Sequence, residues 1–194
     1  MILPPIYLAS GSPRRRELLT QIGVNFQILA VEVDETVQAG EPAERYVQRV
    51  AIDKAQAGLV LRTQQNLPVR PVLAADTAVI VDEQIFGKPA DKQQARQFLQ
   101  HLAGRQHQVL SCVALATDTN MTVRSQLSQV RFASLTDAEI DWYVATGEGS
   151  DKAGGYAVQG VAAQFIEHID GSYSGIMGLP LFETRQLLQE ILKR

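Results

Sequence analysis

Ten residues from Val72 to Val81 read VLAADTAVIV, and no other stretch of the chain constrains the fold so tightly. The run is apolar except at Asp76 and Thr77. A nearly continuous apolar run, unlike an alternating one, marks a strand covered on both faces. Such a strand needs helices to cover it, and the flanking sequence supplies them. Ile6 to Ala9 reads as a short strand, and Ser12-Pro13 opens a helix with Leu18, Leu19 and Ile22 on its apolar stripe and Gly23 as its stop. Val24 to Val33 reads as extended. Glu41-Pro42 opens a second helix that keeps Tyr46, Val47, Val50, Ala51 and Ala55 on one side.

After Val81 the pattern continues in short units. Asp82-Glu83-Gln84 turns the chain into Ile85-Phe86. A helix follows from about Asp91, with Ala95, Phe98, Leu99 and Leu102 facing inward and Gly104 at its end. Val109–Ala116 and Met121–Phe132 read as strands joined by a polar turn. Thr136 and Glu139 form a capping box for a helix carrying Ile140, Tyr143 and Val144 and stopping at Gly147. Gln164 to Ile169 reads as a strand, and a last helix starts near Pro180. Strands and helices interleave while several strands are hairpin-linked, so the fold class is α/β with a mixed sheet and flanking helices.

Composition excludes several function classes. The 194 residues suit one domain spanning 1–194. Hydrophobic residues make up 45% and charged ones 20%, as in soluble globular proteins. A net charge of −3 argues against nucleic acid as a partner. No apolar run approaches about 18 residues, so no membrane partner is expected. The N-terminus lacks a positive region and carries two prolines in its first five residues, unlike a secretory leader. The single cysteine, Cys112 within VLSCVALA, forms no internal disulfide and reads as core packing. A reducing, cytoplasmic location is the expectation. His101, His107 and His168 show neither metal-site spacing nor a triad arrangement.

Three places break the chain's own structural logic, and such breaks point to function. The first is Ser10-Gly11-Ser12-Pro13-Arg14-Arg15-Arg16. Ser12 suits an N-cap and Pro13 the first helical position, yet three arginines follow at the positive pole of a helix, where cations are unfavourable. The cluster makes sense around an anion. Free amides, two hydroxyls and guanidinium forks would cradle a phosphate chain. The alternative is a solvated basic turn, and no G-K-[ST] follows to make a Walker loop. The second is Asp76, which is costly in a buried strand unless paired, metal-bound or lining a cavity. It reads as a metal ligand or general base at a cleft, or else as a turn residue at a strand end. Thr77 points to the opposite face if the strand is regular. The third is Lys54, four residues after Val50 and three after Ala51, and so on the apolar stripe of its helix. It either finds a buried partner or snorkels from the stripe edge. On local grounds Lys88 is an ordinary loop lysine and Glu35 the end of a solvated acidic cluster. Together, a phosphate cradle, two lysines and two carboxylates are what metal-assisted attack on a polyphosphate requires.

Seven stretches in order carry a resemblance: LASGSPRRRELL (8–19), EVDE (32–35), DKA (53–55), AADT (74–77), GKP (87–89), GEGSDKAGGYAVQG (147–160) and GLPLFET (178–184). Over nearly its whole length the chain resembles the Maf family of nucleoside triphosphate pyrophosphatases. The resemblance implies a Maf/ITPase-like α/β subunit with a deep cleft between two lobes, a homodimer, and a divalent cation (Mg²⁺ or Mn²⁺). It implies hydrolysis of a nucleoside triphosphate to the monophosphate and pyrophosphate. Asp76 matches the family's proton acceptor and, with Glu35, its metal-handling carboxylates. Ser10, Ser12, Arg14, Arg15, Lys54 and Lys88 match its phosphate-handling positions.

The same resemblance bears on the base. One branch of the family prefers dTTP and UTP, including some modified pyrimidine nucleotides, and another 7-methyl-GTP. Arg14, Thr77 and Gln159 match the pyrimidine branch, where the other carries Trp, Gln and Glu. A Gln amide offers a donor and an acceptor to O4 and N3–H of uracil or thymine, whereas a Glu only accepts. The expected role is removal of surplus or non-standard nucleotides from the pool. The competing expectations are 7-methyl-GTP hydrolysis and a nucleotide-binding regulator of cell division and septum formation.

Overall fold

The computed structural model of the protein describes residues 3–192. Met1 and Ile2, part of the N-terminal stretch read above for a leader, lie outside them. Val72–Val81 forms β3, the spine of a seven-stranded mixed sheet. β1 (Ile6–Leu8) lies beside it, with β2 (Phe26–Ile28) at the sheet edge, both parallel. On its other side β3 pairs antiparallel with β5 (Gln106–Ala116), which pairs with β6 (Met121–Phe132), and β6 with β7 (Ile166–Asp170).

β3 has two partners on one edge. β1 pairs with it at Val72 and Leu73, while β4 (Gln84–Phe86) pairs antiparallel at Val79 to Val81. Between them the edge is shared by neither strand, and Asp76 sits in that fork. A place where strand neighbours diverge is where open sheets leave room for ligands.

Helices cover both faces, as a doubly buried β3 demands. α2 (Ala43–Gln64) lies against the face carrying Val72, Ala74, Ala78 and Cys112. It comes close because Gly58 has no side chain: a Cβ there would stand 2.6 Å from Val72 Cγ1. α1 (Pro13–Gln21) and α6 (Leu181–Leu192) cover Leu8, Leu73 and Ala75 on the opposite face. α3 (Lys92–Leu102) and α4 (Asp137–Thr146) enclose a further core around Val79, Phe132 and Tyr156. Asp91 caps α3 through the Gln94 amide, and the Thr136–Glu139 capping box opens α4.

Three sequence expectations need correction. Only Phe26–Ile28 of the stretch 24–33 is strand, its ladder closed by the Leu29 amide on the Leu8 carbonyl at 2.9 Å; Val31 and Val33 are apolar because they pack against the α2 core, not because they join a ladder. The strand expected over 164–169 begins at Ile166, preceded by a 3₁₀ turn over Val161–Phe165. A short helix, α5 (Tyr173–Ile176), was not expected. No helix among the described residues is long and apolar enough to cross a membrane.

Candidate active site at the sheet fork

The fork opens into a cleft of about 330 Å³, within the roughly 300–1,000 Å³ range of small-ligand sites. All ten candidate residues line it: Ser10, Ser12, Arg14, Arg15, Glu35, Lys54, Asp76, Thr77, Lys88 and Gln159. They come from six separate stretches of chain, which only the sheet topology gathers.

Asp76 and Lys54 face each other because β3 alternates its side chains and α2 runs beneath the even-numbered face. Lys54 Nζ donates to Asp76 Oδ1 at 2.8 Å and stands 2.7 Å from Glu35 Oε1. Its ammonium bridges two carboxylates, so the stripe lysine is paired and does not merely snorkel. Burial raises the Asp76 carboxyl above the ordinary carboxylate range, and the charges of Lys54 and Arg15 offset this only in part. Glu35 is the counterpart. Partial burial pushes it up, but the Lys54 hydrogen bond and the charges of Lys54, Lys88 and Arg15 outweigh burial and hold it below its usual value. Two carboxylates joined by one lysine are thus pushed in opposite directions, Asp76 up and Glu35 down.

The loop from β1 into α1 builds the cationic wall. Ser10 Oγ accepts from the Ser12 amide at 3.2 Å and from Arg15 Nη1 at 3.1 Å, and Arg15 Nε donates to the Gly178 carbonyl at 2.8 Å. Arg15 is 9% exposed, and burial lowers its pKa against the raising pull of Asp76 and Glu35. Ser12 occupies the N-cap position, but its side chain makes no capping bond; Pro13 at N1 removes one orphan amide instead. Arg14 Nη1 lies 3.5 Å from Asp151 Oδ2 across the cleft. Lys88, exposed, stands 4.0 Å from Glu35 Oε2.

Thr77 takes the other face of β3. Its hydroxyl lies 2.7 Å from Ser111 Oγ, and Ser111 donates to the Gly175 carbonyl at 2.6 Å. Gln159 is exposed in the far wall, beside Tyr156, Ala157 and Val158.

Residue-by-residue sequence reading missed several groups. Tyr46 lines the cleft, and its hydroxyl donates to the Glu35 carbonyl at 3.1 Å. Asp151 and Lys152 also line it, paired at 2.6 Å. An acid–base pair inside a glycine-rich stretch was the available signal for the last two. Tyr46 gave none, because a tyrosine on a helix stripe reads as core.

Among the described residues, no cluster of three or more His, Cys, Asp or Glu side chains is arranged to hold a metal ion by itself. Of the three carboxylates in the cleft, Asp151 is paired with Arg14 and Lys152, while Glu35 and Asp76 each give one oxygen to Lys54, the second oxygen of Glu35 standing 4.0 Å from Lys88. Such a hard-oxygen pair fits a Mg²⁺-like ion that draws its other ligands from phosphate and water.

The family model described as "Maf-like protein" matches residues 5–191. A dTTP/UTP pyrophosphatase of Aromatoleum aromaticum is 54% identical over 193 residues, covering 95% of this chain and 94% of that protein. One of Chromobacterium violaceum is 50% identical (95% and 93% covered), and one of Aliivibrio fischeri 46% identical (96% and 98% covered). Among solved structures, the Staphylococcus aureus Ham1 protein superposes with a TM-score of 0.52 at 15% identity, covering 97% of this chain and 98% of that one, a likeness of fold. The family match spans every stretch that contributes to the cleft, and on that ground the chain belongs to the Maf family.

Proposed function

We propose that the protein is a nucleoside triphosphate pyrophosphatase that hydrolyses dTTP and UTP to the monophosphate and pyrophosphate. The observation that carries the reading is the Lys54 ammonium held between Asp76 and Glu35 at the sheet fork, facing the serine–arginine loop. That is a polyphosphate site beside a base of raised pKa. The pyrophosphatases of similar sequence support the activity and the pyrimidine preference.

Ser10, Ser12, Arg14 and Arg15 bind the triphosphate chain at the amino end of α1, where free amides and the helix dipole favour anions. Lys54 and Lys88 add charge. Glu35 and Asp76 are the residues that would hold a divalent cation, Mg²⁺ or Mn²⁺, beside the substrate's phosphates. When bound, the cation screens the triphosphate charge and polarises the scissile anhydride. Asp76 takes the proton of the attacking water, whose oxygen bonds to phosphorus at the α–β linkage as the anhydride bond breaks and pyrophosphate leaves. Lys54 holds Asp76 Oδ1 and so orients the other oxygen. Gln159 and Thr77 face the base. Residues 1–194 act as one domain, as a homodimer in the cytoplasm, with a buried cysteine that suits a reducing compartment.

The test is pyrophosphate release over a panel of dTTP, UTP, CTP, GTP, ITP and 7-methyl-GTP, with Mg²⁺, with Mn²⁺ and without metal. The expected result is metal-dependent release from dTTP and UTP, reduced about 10²–10⁴-fold in a folded Asp76→Asn variant. Full activity in that variant overturns the base assignment, and release from 7-methyl-GTP alone overturns the pyrimidine reading. Tight triphosphate binding without turnover replaces the enzyme with a regulatory switch.

A further inference from the structure

The glycine-rich stretch holds a network outside the catalytic groups. Ala157 to Gly160 forms a turn closed by the Gly160 amide on the Ala157 carbonyl at 3.1 Å, with Gln159 at its corner. Both ends of the turn hang on two side chains of α4 and the loop that follows it. On one side, the Ala157 amide donates to Tyr143 Oη at 3.2 Å. On the other, the Val161 and Ala162 amides donate to Glu148 Oε1 and Oε2 at 2.8 and 3.3 Å. Tyr143 Oη joins the two halves, 2.8 Å from Glu148 Oε2.

The proton directions in this network are determined. An amide can only donate, so Tyr143 Oη accepts from Ala157, and its single proton goes to Glu148. Glu148 is therefore a carboxylate accepting three hydrogen bonds, which a carboxamide cannot reproduce. The fit is tight: a Cβ on Gly160 would lie 2.0 Å from Glu148 Oε1. Tyr143 is 1% exposed, so the anchor stands in the core. Of the three pinned amides, those of Ala157 and Val161 lie two residues from Gln159, one on each side, and that of Ala162 one residue further on.

We infer that Glu148 and Tyr143 are positioning residues for base selection: they hold the turn that presents Gln159 to the nucleotide base. Neither touches the substrate. The inference rests on the reading that Gln159 contacts the base, and it adds that the amide's selectivity depends on a carboxylate behind it. Loosening the turn leaves the phosphate and metal groups in place but lets the amide wander, so recognition falls while chemistry persists.

The experiment compares Glu148→Gln, Tyr143→Phe, Gln159→Ala and the double variant Glu148→Gln/Gln159→Ala. The readouts are kcat and KM for UTP, dTTP and CTP, with folding checked by circular dichroism and thermal melting. Tyr143→Phe keeps the ring in the core and carries the test should Glu148→Gln fail to fold. The expected result in each single anchor variant is a KM for UTP raised about tenfold with kcat nearly unchanged, and a similar fall in the UTP-to-CTP ratio of kcat/KM. In the Gln159→Ala background, Glu148→Gln changes the ratio no further. An unchanged ratio in the folded anchor variants, or a full additional loss in the double variant, overturns the inference. An unchanged ratio in Gln159→Ala alone overturns the base reading of Gln159, and this inference with it.

Discussion

Thr77 and Ser111 show how one buried hydroxyl dictates another. Ser111 is fully buried, and its one proton goes to the Gly175 carbonyl, which can only accept. The hydrogen bond between Thr77 and Ser111 must then run from Thr77, leaving only lone pairs of Thr77 toward the cleft. The stabilities of two variants test this direction. Ser111→Ala leaves the Gly175 carbonyl with only the Gly178 amide at 2.9 Å and takes away the acceptor of the Thr77 proton, and is expected to cost about 1–3 kcal/mol. Thr77→Val leaves Ser111 with its carbonyl partner and is expected to cost less. Urea unfolding measures both, and a larger loss in Thr77→Val contradicts the assigned direction. Cys112 gives a second residue-scale expectation. Burial pushes its thiol up to about 12, so the native protein should resist thiol reagents at neutral pH while the unfolded chain reacts. Rapid labelling of the native protein contradicts the inert-core reading. Some of this chemistry was legible in single positions. Asp76 and Lys54 betrayed themselves as charges on apolar surfaces, and the arginines as cations at the wrong helix pole. Glu35, Lys88 and Gln159 broke no local rule: Glu35 and Lys88 gained meaning only beside the other charges, and Gln159 only from the family resemblance.

At the scale of elements, the irregular segment between β2 and α2 carries Glu35 without a ladder to hold it. α2 holds it instead. Arg49 meets both oxygens of Glu41 at 2.7 and 2.8 Å and donates to the Thr36 carbonyl at 3.0 Å, while Tyr46 holds the Glu35 carbonyl. The hydrogen bonds from Arg49 hold Glu41 at about 2, below its ordinary 4.5. A carboxylate with a depressed native pKa supports the fold above its unfolded value, and that support is lost as pH falls through the native value. Hydrogen-exchange protection around Thr36 should therefore persist below pH 4.5 and disappear toward pH 2. Glu41→Gln should weaken it already at neutral pH. Equal protection in wild type and Glu41→Gln at pH 7 would sink this account. The same segment explains where sequence reading strayed. Regular elements announced themselves by periodicity and caps, as with α3 and α4. Val31 and Val33 carry a strand-like apolar signal whose cause is packing against α2, and the glycine-rich stretch 147–160 has no periodicity to read. Its order comes from side-chain anchors, Tyr143 and Glu148, that hold amides 13 or 14 residues further along the chain.

At the scale of the whole molecule, the fork in β3 brings a net-negative chain to a cleft lined by Arg14, Arg15, Lys54, Lys88 and Lys152. Strand register fixes this convergence, because β1 delivers the arginine loop to one side of Asp76 while β4 leads to Lys88 on the other. Folding thus assembles like charges with only Glu35, Asp76 and Asp151 to answer them, and Arg15 sits there against a desolvation penalty. A polyphosphate anion relieves that imbalance in the native state alone, since the unfolded chain scatters the cations. A ligand at about a hundred times its Kd adds about 2.7 kcal/mol. At about 2–4 °C per kcal/mol for a chain of this size, inorganic pyrophosphate with Mg²⁺ should raise Tm by about 5–11 °C. The shift should shrink in Arg15→Met and in high salt, because charge pairing in an open cleft is screened. Chloride at the same ionic strength should give little of it. An equal shift with chloride, or none with pyrophosphate, would mean that the cations are a solvated patch and that the fork is not a phosphate site.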